Sequence, residues 1–216
     1  EPDGGAVATR RSRVDRASQY RTWTRRQAMT APGFWAAVLA FFLSLGAQTG
    51  VLIYQLAFLQ EPDKLGTRSA AALAVTTTTI GSILARMAVS MVADRLDKRL
   101  MAMSLFLLQA TAIGAYLVVH HTFWIYASAL LFGFTVGNVY LAQSLLVGEL
   151  FGLVSFATVY GMVSLSSQLG SGISLIVVGR LVDAHGYTVP FLFLAGLDVV
   201  AALLVLAARH SPARLA

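Results

Sequence analysis

The stretch ARMAVSMVADRLDKR, residues 85–99, sets one full positive charge, Arg86, among apolar and small residues before the segment ends in a knot of charge. In oil, an arginine costs about 2.5–3.5 kcal/mol on membrane-insertion scales. Whether the setting is oil, and what offsets that cost, depends on the sequence around it.

The chain has 216 residues, of which 57% are hydrophobic and 12% charged, and its mean hydropathy is +0.71. Soluble domains carry about 25% charged residues. Several apolar stretches exceed the roughly 20 residues that cross a bilayer, so the sequence reads as an all-α integral membrane protein. The first apolar stretch, Gly33 to Gln60, is too long for the h-region of a signal peptide. A net charge of +6 would suit nucleic acid, but the basic residues cluster between apolar stretches, which is how membrane orientation is set. Nucleic acid is not an expected partner. With no cysteine, disulfides, thiolate metal sites and thiol catalysis are excluded. No Ser/His/Asp set, metal cluster or phosphate loop appears at usable spacing, so no enzyme activity, cofactor or metal is expected.

Residues 1–30 form a basic lead-in with seven arginines, read as a cytosolic tail or linker. Its aromatics among arginines suit anionic lipids, and a plain topology signal explains the arginines as well. The chain opens on Glu1 rather than Met, which fits a piece of a longer protein. A bundle is expected over 31–208, with six membrane helices near 33–60, 67–93, 100–119, 122–147, 155–179 and 188–208, and a cytosolic tail at 209–216. If the lead-in is cytosolic, thirteen Lys/Arg fall inside and only Lys64, Arg68 and Arg180 outside. That distribution obeys the positive-inside rule. A multi-pass protein of the plasma or bacterial inner membrane with both termini cytosolic is expected.

Polar residues follow a pattern along the spans. The first carries Ser44, Gln48 and Gln55; the second Thr79, Ser82, Arg86 and Ser90; the third only Gln109 and Thr111. The fourth carries Thr135, Asn138 and Gln143; the fifth Ser164, Gln168 and Ser171; the sixth little except Asp198. Polar, polar, apolar, repeated, predicts a three-plus-three inverted repeat whose third and sixth helices face lipid. Polar rows must face protein or water, because lipid cannot satisfy their hydrogen bonds.

The loop SMVADRLDKR, Ser90 to Arg99, resembles the motif G-x-x-x-D-R-x-G-R-R/K of the major facilitator superfamily, matching at Asp94, Arg95, Lys98 and Arg99. Ser90 and Asp97 stand where the motif has glycines. The run GELFGLVSFATVYGMVSLSSQLGSG with GRLVDAHGY resembles the eleventh-helix region of the superfamily's carboxylate carriers, and the basic lead-in resembles the central linker. The resemblance implies a C-terminal half, helices seven to twelve, paired with an N-terminal six-helix half. ARMAVSMVAD is similar to the eighth helix of monocarboxylate and oxalate/formate carriers, in which an arginine eight residues before the loop holds the substrate carboxylate; Arg86 has that spacing from Asp94. Two departures stand out: Ser82 replaces an acid usual one turn earlier, and the fifth span lacks the lysine of oxalate carriers.

The resemblance implies a secondary transporter that moves a small organic anion, a monocarboxylate, by alternating access, with proton symport as one coupling mode. Arg86 would bind the carboxylate, and Ser82, Thr79, Gln48, Gln55, Asn138 and Gln168 are candidate contacts; the last four serve equally well as cross-helix bonds. Against this, Arg86 could snorkel to the surface. Asp94, Arg95, Lys98 and Arg99 would lock the cytosolic side, with Glu149 the natural partner of Arg95; otherwise the basic three only fix topology. Asp198 is a candidate for proton coupling by virtue of its depth, and a hydrogen-bonded structural acid is the alternative. His120 and His121 read as turn residues, and Gly161, Gly170, Gly172 and Gly179 as close-packing sites. Alternative functions are an exporter of neutral or cationic compounds, and a non-transporting six-helix protein that needs a partner half.

Overall fold

A computed structural model of the chain describes residues 25–208 other than Leu153, and the side chains of Arg25, Val92 and Asp94 lie outside the description. The expectations for the first 24 residues and for the tail from 209 onward fall outside the described residues. Six spans long and apolar enough to cross a membrane make up the molecule, and no strand occurs among the described residues.

A short helix α1 (Arg25–Thr30) leads into α2 (Pro32–Leu59), where Pro32 occupies the opening turn and so wastes no amide. Helix α3 (Arg68–Val92) begins at Thr67, whose side chain accepts from the Ala70 amide. It ends in a 3₁₀ turn, Ala93–Arg95. Asp97 caps α4 (Lys98–Val118) by accepting from the Arg99 and Leu100 amides at 2.9 and 3.1 Å. Two helices, α5 (Thr122–Thr135) and α6 (Asn138–Phe151), together make the fourth span. Helix α7 (Phe156–His185) and helix α8 (Thr188–Ala207) complete the bundle.

The fourth span ends at Phe151, four residues past the expected 147, and two further features differ from the sequence reading. Helix α7 runs six residues past the expected end and stops at Gly186, whose φ of +69° suits a residue without Cβ. The fourth span is not continuous: Val136 is extended, Gly137 has φ +84°, and α6 starts anew at Asn138.

Packing follows the expected repeat. Helix α2 lies mainly against α7 and α8, α3 against α5, and α4 against α8. Exchanging the first three spans with the last three turns the α2–α7 contact into the α5–α3 contact and maps α4–α8 onto itself. Close glycine contacts obey the same exchange. A Cβ on Gly170 of α7 would collide with the Phe42 carbonyl of α2, and one on Gly81 of α3 with the Leu130 carbonyl of α5. Small residues let membrane helices approach this closely.

The third and sixth spans are not simply lipid-facing, as their apolar composition suggested. They bury a face against each other and place Gln109 and Asp198 in the interior. A single polar residue per span is enough to do this, and an average over the span hides it.

Two apolar clusters fill the bundle. One, with Phe34, Phe41, Phe106, Leu146 and Val159, sits toward the Ala93–Arg95 turn. The other, with Phe58, Ile113, Tyr116, Phe132 and Phe191, sits toward the opposite end. Between them lies a polar layer. Gln109 Nε2 donates to both carboxylate oxygens of Asp198 and, at 3.1 Å, to the Ser44 carbonyl, while its Oε1 accepts from Gln48 Nε2 and Thr135 Oγ1. All five residues are buried.

Candidate functional site

Beside α3 lies an open hollow of about 760 Å³. One wall is Ser82, Ile83, Arg86, Met87 and Ser90, successive turns of α3. The other is Gly137 at the joint of the fourth span, with Tyr140 and Leu141 on α6. Arg86 is exposed and has no hydrogen-bond or ion-pair partner among the described residues. The guanidinium stays charged at any physiological pH and offers five N–H donors in a planar fork, which matches a carboxylate in two parallel bonds. Ser82 and Ser90, both on this wall, donate to the Thr79 and Met87 carbonyls at 2.8 and 2.9 Å, so in this arrangement their hydroxyl hydrogens are spent on their own helix.

The other expected contacts distribute differently. Thr79 is exposed and bonded back to Val75, outside the hollow's lining. Gln48 is a member of the buried layer. Gln55 donates to Thr78 and to the Tyr116 hydroxyl at 2.9 and 2.7 Å. Asn138 is buried and donates to the Phe134 carbonyl, while Gln143 reaches Ser167 across to α7. Gln168 is exposed on α7, away from the hollow. Polar spacing marks an inward face but not whether water or another helix meets it, and for Gln48, Gln55 and Asn138 the neighbour is protein.

Tyr140 was missed. A continuous fourth helix puts Thr135, Asn138 and Gln143 on the wet row, whereas the joint at Val136–Gly137 turns Tyr140 to the hollow instead. The glycine in mid-span was the only available signal, and glycine is ordinary in membrane helices.

At the end of α3, Lys98 Nζ donates to the Ala93 and Leu96 carbonyls at 2.6 and 2.8 Å and so closes the charged turn. Arg95 and Glu149 are both exposed and form no ion pair with each other. Amide bonds from Leu100 and Arg99 hold the Asp97 carboxyl below the usual carboxylate range, burial acting weakly the other way. At the opposite end, Lys64 is 9% exposed and donates to the Leu117 and Val119 carbonyls at 3.0 and 3.2 Å. Burial pushes its ammonium down, against the pull of Asp63 and Glu61. His120 Nδ1 lies 3.1 Å from the Asp63 carbonyl. No group of three metal-binding side chains occurs among the described residues.

Fold and hollow together define a class: a multi-pass helical membrane protein with a cationic side chain facing an open hollow along its second span. The family model for the Major Facilitator Superfamily matches residues 33–215, and the chain belongs to that superfamily. Its members are transporters rather than enzymes, and six spans are half of their fold. Among curated proteins, no sequence matches the chain.

Proposed function

We propose that this chain is the C-terminal half of a secondary transporter that moves a small organic anion, a monocarboxylate, by alternating access. One observation carries the reading: the Arg86 guanidinium borders an open hollow with no acid paired to it among the described residues. A charge left unpaired in a membrane span calls for a partner that arrives from outside the fold. A carboxylate held in the guanidinium fork meets that need, with the Tyr140 hydroxyl as a second donor. An exporter of cations would instead need an acid beside Arg86.

The N-terminal half would cover α3 and α7, the least buried of the six spans. The two halves rock about a site near the bilayer midplane. The charged turn with Arg95 and Arg99, together with Glu149, would latch the cytosolic side when the outside is open. Asp198, enclosed in the polar layer away from the hollow, keeps a structural role in this reading rather than a coupling one.

The test is saturable uptake of labelled lactate by cells expressing the complete transporter. Arg86→Ala should abolish uptake and Arg86→Lys should keep a small fraction of it. Uptake unchanged in Arg86→Ala would overturn the anion reading.

A further inference from the structure

We propose that Gly137 is a positioning residue for the anion site: the joint in the fourth span leaves a notch without a side chain, and the Arg86 guanidinium rests in it. The functional half of this proposal depends on the anion reading above; the contact itself stands on geometry.

A Cβ built on Gly137 would run into Arg86 Nη2 and stand 3.0 Å from Cζ and 3.1 Å from Nε. Three atoms of the guanidinium group thus lie against one glycine, so no other residue type leaves room for the group where it sits. Nothing else among the described residues holds it by a hydrogen bond or an ion pair. An arginine stem is long and flexible, and in a membrane span an unrestrained one swings toward the headgroups. The notch gives the group a defined place in the span instead.

Gly137 has φ +84°, and its joint separates α5 from α6. Tyr140 and Leu141, one turn beyond the joint, form the rest of the same wall. Bending at the joint would therefore shift the seat of the guanidinium and the Tyr140 hydroxyl together. The fourth span, not only the second, decides where a carboxylate docks.

Gly137 carries two separable constraints, and the test must tell them apart. One is steric conflict with Arg86; the other is a backbone at φ +84° and ψ −32°, outside the left-handed well, which any residue with a Cβ adopts only under strain. The full transporter is made as Gly137→Ala and Gly137→Asn, each with Arg86 present and in an Arg86→Ala background. Thermal stability without substrate is measured for all of them, and lactate uptake for those that retain Arg86. With Arg86 present, both Gly137 variants should lower the melting temperature and raise KM by about tenfold, with kcat less affected. In the Arg86→Ala background, each Gly137 variant should cost clearly less stability than with Arg86 present, because the colliding group is gone and only the backbone strain remains.

Equal stability losses in both backgrounds would overturn the seat, as would an unchanged KM in Gly137→Asn. If Gly137→Ala fails to fold with Arg86 present, recovery in the double variant supports the seat and continued failure overturns it. Should Arg86→Ala leave uptake intact while the stability coupling persists, the cargo reading falls and the contact survives.

Discussion

Gln109 Nε2 lies 3.0 and 2.9 Å from the two carboxylate oxygens of Asp198, and neither residue has measurable exposure. A carboxyl group at mid-span thus meets an amide rather than a cation. That pairing ties α4 to α8 and brings Ser44, Gln48 and Thr135 into one layer.

Asparagine can occupy position 198 with its carbonyl still accepting from Gln109, so Asp198→Asn should change stability by less than about 1 kcal/mol. Asp198→Leu leaves the Gln109 amide without that acceptor and should cost about 1–3 kcal/mol. Thermal unfolding in detergent measures both. Uptake by Asp198→Asn should respond to an imposed proton gradient as wild-type uptake does; a different response with normal folding would make Asp198 a coupling group.

Tyr140→Phe removes a hydroxyl from the wall facing Arg86 and nothing from the bundle interior. It should raise KM for lactate by about fivefold, equivalent to one hydrogen bond, and leave the melting temperature unchanged. Gln48→Leu should do the opposite, lowering stability through the buried layer without a specific effect on KM.

The glycines of α7 should separate sharply. A Cβ on Gly170 meets the Phe42 carbonyl, which is backbone and cannot yield, so Gly170→Ala should destabilise by about 1–3 kcal/mol. A Cβ on Gly172 meets nothing within 4 Å, and Gly172→Ala should be neutral or slightly stabilising. Gly161 has equally open space, so close packing explains Gly170 but not every glycine of this helix.

Asp97 gives a pH dependence with a definite sign. Its carboxyl is held below the ordinary value of 3.8, so it contributes stability above that pH and loses it as pH falls through the lowered value. Because the group is exposed, the effect is that of a helix cap: Asp97→Ala should cost about 1 kcal/mol at neutral pH. The difference from wild type should vanish in strong acid. Asp97→Asn should cap the helix at all pH values and flatten that dependence.

The six spans were legible because hydrocarbon thickness dictates length, and Pro32 marks one of their starts in plain residue chemistry; Asp97 read only as a departure from the loop motif's glycine, and its role as the cap of α4 was not seen. The symmetric order of polar and apolar spans was legible too. The joint at Val136–Gly137 was not, since a glycine in an apolar run looks the same whether it packs, bends or breaks a helix. Nor was the fate of Gln48 and Gln55. A hydrogen-bonding face reads identically whether it meets water or the Gln109 and Tyr116 side chains of a neighbouring helix. Arg86 stood out for the opposite reason: a guanidinium has few ways to be satisfied in oil, so its presence alone narrowed the choices.

The layer at Gln109 also fixes the bundle's mechanics. Four helices are pinned there at a common height, and sliding any of them by one turn, about 5.4 Å, would drive an amide, hydroxyl or carboxyl group into hydrocarbon side chains. The inner column formed by α2, α4, α5 and α8 is therefore held in register as one stiff spindle. Outside that pin, α3 and α7 are themselves tied back to α2, through Gln55–Thr78 and Thr49–Ser171, which leaves the elbow above α6 as the joint where the bundle can give.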